Sequence, residues 1–119
     1  MTERGAVEST KLCIVWSTAD REVALNMIFM FAENSRKHEW WERVRIVVWG
    51  PSARTIVYDG ELQVELGRLS EMGVELQACR ACAERYGVTK QLEDFGLEVK
   101  FMGQPLTDML MSDWKVIAF

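Results

Sequence analysis

The chain has 119 residues and a net charge of −4, from 14 basic and 18 acidic side chains, and 49% of it is hydrophobic. That is the size of one domain, organised as residues 11–119 and long enough to bury a core without staples. The acidic balance excludes a protein built to coat nucleic acid, which presents a cationic face to phosphates, and no apolar run is long enough to span a bilayer.

Residues 1–10 are polar and small. They read as a flexible N-terminal tail without the basic-then-apolar pattern of a secretory leader, so a cytoplasmic location is expected. Residues 11–17 (KLCIVWS) form a short β-branched, apolar run, which predicts a buried first strand. Ser17-Thr18-Ala19-Asp20 supplies N-cap candidates for a long helix from 20 to about 37. Within it, 23–32 (VALNMIFMFA) is apolar nearly all the way round. Such a helix must be covered on every side. The expected cover is a second copy of the chain, so a homo-oligomer is predicted. The alternative cover is the chain's own loop at 38–42.

A second buried strand is expected over 44–50, closed by Gly50-Pro51, then a short helix over 52–57. Leu62, Leu66 and Leu69 mark one face of an amphipathic helix over 60–72, stopped by Gly73. A third strand comes next at 74–78. Helices at 79–86 and 89–95 are stopped by Gly87 and Gly96. A fourth strand is read at 97–102, a helix starting near Pro105 and running to 112, and a fifth strand at 115–119. Strands alternating with helices imply an α/β class: a three-layer α/β/α sandwich around a mainly parallel five-stranded sheet, with right-handed crossovers.

In open parallel sheets, sites form outside the carboxyl ends of the strands. The segments at those ends carry Ser17 and Thr18, then Gly50-Pro51-Ser52, then Cys79-Arg80-Ala81-Cys82, then Gly103 to Thr107. Hydroxyls and turn residues occur at strand–helix junctions in any case, as caps. The cysteines are more telling. Cys79 falls at a helix N-cap, where the dipole and free N–H groups favour an anion, and the thiolate is the reactive form of a thiol. A lowered pKa is expected for Cys79, helped by Arg80 and Arg85. Cys82, three positions on, lies on the same side of the first turn. Polar Gln77 suggests that this strand end approaches solvent. Cys13, inside the first strand, reads as core.

Three cysteines in a reducing compartment do not predict a structural disulfide framework. One C-x-x-C supplies only two of the four ligands of a structural zinc site, so no metal is expected. His38, Trp40 and Trp41 read as surface, interface or helix-end residues. No phosphate-binding loop, nucleophile elbow or dinucleotide fingerprint is present, and no cofactor is expected.

The segments Trp16-Ser17-Thr18, Val48-Trp49-Gly50-Pro51-Ser52, Cys79-Arg80-Ala81-Cys82-Ala83-Glu84-Arg85-Tyr86-Gly87-Val88 and Met102-Gly103-Gln104-Pro105-Leu106-Thr107 together resemble the DsrE-like sulfur-relay family over residues 11–119. The third segment is the most specific, with a cysteine at the third strand's end and a short helix closing on Gly-Val. The resemblance implies an α/β/α fold and assembly as trimers or hexamers. It further implies a persulfide on Cys79, received from a sulfur donor and handed to an acceptor protein, with Cys82 as an accessory. Ser17, Thr18, Ser52, Arg80, Gly103 and Thr107 would border the substrate. Tyr86 stands where sulfur-transferring relatives often carry Arg, and Cys82 is an addition. Two other functions fit the same residues. One is a C-x-x-C dithiol redox protein; the other is a non-enzymatic assembly or small-ligand-binding protein whose thiols merely line a pocket.

Overall fold

Alternation along the first two strands assigns the two faces of the sheet. In β1 (Lys11–Trp16), Leu12, Ile14 and Trp16 point one way and Cys13 and Val15 the other. In β2 (Arg43–Val48), Val44, Ile46 and Val48 share the first face, while Arg43, Arg45 and Val47 share the second. The period of two along a strand makes this division unavoidable. The protein is described by a computed structural model over residues 10–119; the expected tail lies outside the described residues except for Thr10.

With β3 (Glu75–Cys79), β4 (Glu98–Lys100) and β5 (Lys115–Ala118), these strands form one sheet in the order β4-β3-β2-β1-β5. Every neighbouring pair is parallel. The chain steps outward from β1 to β4 and then returns past β1 to β5. Crossovers of one hand put the three outward connections on one face and the return on the other. The packing agrees. Ile28 and Phe29 from the first connection lie in the first-face core, as do Leu62, Leu66 and Leu69 from α4 (Gly60–Glu71). Ala53 and Ile56 from α3 (Ser52–Val57), Ala83 from α5 (Arg80–Tyr86) and Leu92 from α6 (Thr89–Asp94) join the same core. Among the described helices, only α7 (Gly103–Leu110) packs on the second face, through Leu106 and Met109. The sandwich therefore has three layers of very unequal size. Among the described residues, no helix is long and apolar enough to cross a membrane.

The first connection is a helical rod as the sequence predicts, but not a regular one. It opens with α1 (Arg21–Val23), capped by Asp20, whose carboxylate accepts the N–H of Glu22 at 2.8 Å and of Val23 at 3.3 Å. It closes with α2 (Met30–Lys37), and the middle, Ala24–Phe29, is π-helical. A π turn inserts one residue and rotates the succeeding turns relative to an α-helix. Ala24, Ile28, Phe29 and Ala32 thereby all face the sheet, and Phe29 meets Trp16 edge-on at 5.2 Å. The all-round apolar stretch is only partly covered within the chain. Trp40, from the loop at 38–42, reaches Phe31 with ring centroids 6.4 Å apart, while Met27 and Met30 stay about half exposed.

The second face carries charge near its middle. Glu75 receives Arg43 bidentately at 2.8 and 2.9 Å, and its Oε1 also accepts two donors from Arg45 at 3.1 and 2.9 Å. The Trp114 ring covers both guanidinium groups, 4.9 and 4.2 Å from its centroid. Hydrogen bonds from Arg43 first, and then from Arg45, hold the Glu75 carboxyl below the usual carboxylate range against the opposing effect of partial burial. Asp59 is lowered too, by Arg21 and by the Leu62 N–H that it caps. A depressed folded-state pKa contributes stability above the ordinary carboxylate pKa of about 4, and that contribution is lost as pH falls below it. The urea midpoint should therefore drop between about pH 5 and pH 3. In Glu75→Gln the drop should be visibly smaller; an identical pH profile for the variant would remove Glu75 from the account.

Candidate functional site

The exits of β3 and β4 part company. β3 leads into α5 on the first face, and β4 leads into α7 on the second. Adjacent strands whose connections leave to opposite sides open a crevice at their carboxyl ends, the usual location of sites in such sheets. Cys79 stands there.

Cys79 ends β3 and is the N-cap of α5, with extended dihedrals of −75° and 119°. Its sulfur makes no capping hydrogen bond to the helix backbone, so the thiol is not consumed by the cap. α5 stops one turn beyond Cys82, at Gly87, whose φ of +70° is readily adopted only by glycine. Cys79 is 5% exposed and packs with Val47, Met102 and Met109, whereas Cys82 is half-buried.

Cys82 is the thiol that meets the surface cleft. Its Sγ accepts the backbone N–H of Gly50 at 3.2 Å. Gly50 can aim that N–H because it closes β2 in a left-handed conformation, φ +79°. Cys79 is close enough to Cys82 to influence its titration. Burial pushes the Cys82 thiol pKa up; the Gly50 N–H opposes this, the contact with Cys79 adds to it, and Arg85 opposes it more weakly. The cleft has a volume of about 280 Å³ and is lined by Gly50, Ala81, Cys82, Arg85 and Tyr86. Over the Tyr86 ring lies the Arg54 guanidinium, 5.3 Å from the centroid.

The hydroxyls that the sequence assigns to substrate contact follow β1 and β2 or lie in α7, none lines the cleft, and each is engaged elsewhere. Ser17 Oγ and its own N–H both donate to Phe119 O at 2.8 Å. Thr18 Oγ1 accepts the Asp20 N–H at 3.0 Å. Ser52 is fully buried and its Oγ donates to Trp16 O. Thr107 Oγ1 donates to Gly103 O at 2.8 Å within α7, so the 103–107 segment is a helical turn and not a loop. These hydroxyls hold the strand-end segments in place.

Arg80 turns toward β4, donating to Val99 O at 2.8 Å with Glu93 at 3.8 Å, and does not line the cleft. The expectation for Gln77 is corrected. It is 5% exposed and donates to Glu98 at 3.1 Å, because β3 is an interior strand between β2 and β4. Arg85 and Tyr86 come three and four positions after Cys82, the spacing that sets side chains on one helix face. Arg54 comes from another helix and gives no local signal.

Cys13 is core, as its sequence context indicates. It is fully buried, and burial pushes its thiol up to about 11, partly offset by Arg45.

The fold and the site define a class: an open, all-parallel α/β protein with two neighbouring thiols where β3 ends and α5 begins. No protein-family model matches the chain, and no curated protein does. A solved structure does match: a conserved protein of unknown function from Bacteroides thetaiotaomicron. It aligns with a TM-score of 0.91 and 31% identity, over 97% of this chain and 99% of that one. The chain belongs to the family of that conserved protein.

Alkylation of the native protein near pH 8 should label Cys82 first and leave Cys13 slower by roughly tenfold or more, since the thiolate is the reacting form. Peptide mapping after timed quenching checks this order. Early labelling of Cys13 would contradict the packing.

Proposed function

We propose that this chain is a sulfur carrier of the DsrE-like kind, holding a persulfide on Cys79 and passing its outer sulfur to an acceptor thiol. The observation that carries the reading is the thiol pair itself. Cys79 sits at a helix N-cap without a capping hydrogen bond from its sulfur, next to a Cys82 whose sulfur accepts a backbone N–H at a cleft. Backbone N–H groups and a helix N-terminus both favour sulfur in its anionic form.

The chemistry balances with these groups. Cys79 thiolate attacks the outer sulfur of a persulfide donor, forming Cys79–S–SH and releasing the donor's thiolate. An acceptor thiolate then attacks the same outer sulfur and regenerates the Cys79 thiolate. Alternatively, Cys82 thiolate attacks the Cys79 sulfur, giving a Cys79–Cys82 disulfide and releasing hydrosulfide. The odd number of cysteines supports a reducing compartment such as the cytoplasm for this work. Met27 and Met30, half exposed on the first connection, favour a homo-oligomer, and the acceptor would be a separate protein.

Intact-mass measurement after exposure to a persulfide donor tests the reading. The wild-type chain should gain the mass of one sulfur atom, reversed by a thiol reductant, and Cys79→Ser should lose that gain. No gain on the wild type, or an undiminished gain on Cys79→Ser, overturns it.

The contact between the two thiols also favours a second reading, a dithiol redox protein. Its signature is a Cys79–Cys82 disulfide that forms under mild oxidation with a measurable reduction potential in glutathione buffers.

A further inference from the structure

Eight arginines lie among the described residues, and the use each makes of its guanidinium is uneven. Arg21 binds Asp59 and Glu61; Arg43 and Arg45 bind Glu75; Arg68 binds Glu33 and Glu65. Arg36 donates to the carbonyls of Met72 and Glu42, and Arg80 to Val99 O. Two remain. Among the described residues, neither Arg54 nor Arg85 has a hydrogen-bond or carboxylate partner; Arg85 lines the Cys82 cleft, and Arg54 lies over the ring of Tyr86, another lining residue.

The Tyr86 ring explains how one of them is held. A guanidinium lying over an aromatic face is positioned through that face, leaving the N–H donors at its edge free. Arg54 is so placed over Tyr86, which itself lines the cleft beside Arg85. The result is two cations without carboxylate partners, from two different helices, one lining the Cys82 cleft and one over its Tyr86 wall, in a chain whose net charge is −4. Arginine forks pair with carboxylates bidentately and with charge assistance. The cleft, about 280 Å³, is on the scale of a small molecule and not of a protein surface.

We infer that the Arg54–Arg85 pair is an anion site that selects a low-molecular-weight persulfide bearing carboxylates as the sulfur donor for the neighbouring thiols. The inference rests on the sulfur-carrier reading for its chemistry but not for the binding site. The donor's carboxylates lie on the two guanidinium groups and its outer sulfur faces the thiol pair. Cys79 thiolate attacks that outer sulfur, the donor's S–S bond breaks, and the carboxylate-bearing thiolate leaves. No electrons are gained or lost by the system as a whole.

The test compares glutathione persulfide, which carries carboxylates, with the persulfide of 2-mercaptoethanol, which carries none. Initial rates of sulfur loading are monitored by intact mass on wild type and on Arg54→Gln/Arg85→Gln. The wild type should load from the anionic donor about tenfold faster, the order expected for a charge-assisted pair of contacts. That ratio should fall toward one in the variant and toward one at high salt. Equal rates on the wild type, or a preference that survives the double substitution, overturn the inference.

A second arm separates this from failure of sulfur transfer. Glutathione itself is titrated calorimetrically into Cys79→Ser/Cys82→Ser, with and without the two arginine substitutions. Binding that is lost with the arginines supports the anion site even if no chain ever gains sulfur. Absence of binding, or binding indifferent to the arginines, overturns it.

Discussion

A parallel sheet must return its chain over one face or the other at every connection, and crossovers share one hand. That constraint organises this protein. Three outward steps from β1 to β4 stack three helical connections on the first face, and the single return to β5 leaves α7 alone on the second. The large apolar core and the sparsely covered, charged second face both result from the same rule. So does the crevice: β4 is the strand from which the chain turns back, and its exit leaves opposite to that of β3. The last residue of β3 is Cys79.

Around that point the structure uses backbone and small side chains to hold reactive groups in position. Ser17, Ser52 and Phe119 tie the ends of β1, β2 and β5 to one another. Gly50, in its left-handed turn, delivers an N–H to Cys82, and Gly87 ends α5 just after the cleft's Arg85 and Tyr86. The hydroxyls that looked like ligand contacts in the sequence serve this framework. Two neighbouring sulfurs and two arginines without carboxylate partners are what this framework leaves for chemistry. Their grouping at and beside one cleft motivates both the sulfur-carrier reading and the anion site.

The second face supplies contrast. There the arginines are neutralised by Glu75 and covered by Trp114, so their charge is spent on the fold. Equal residue types thus play opposite parts a short distance apart, and the difference lies in their partners.

The sequence by itself determined the elements and the core. The leucine spacing in 60–71, the β-branched runs of the strands and the glycine stops are local signals, and they placed the strands and helices within a few residues of where they lie. It also determined that a cysteine would cap the helix after the third strand, because strand end and helix start meet within two residues. It did not show the π turn at Ala24–Phe29, which depends on how that rod fits the sheet and Trp16. Nor did it show that Gln77 is buried, that Arg80 faces β4, or that Arg54 lies over the Tyr86 ring that lines the cleft. Each of those depends on which strands and helices become neighbours. Only the tertiary fold decides that, since it brings together residues such as Gly50 and Cys82, 32 positions apart in the chain.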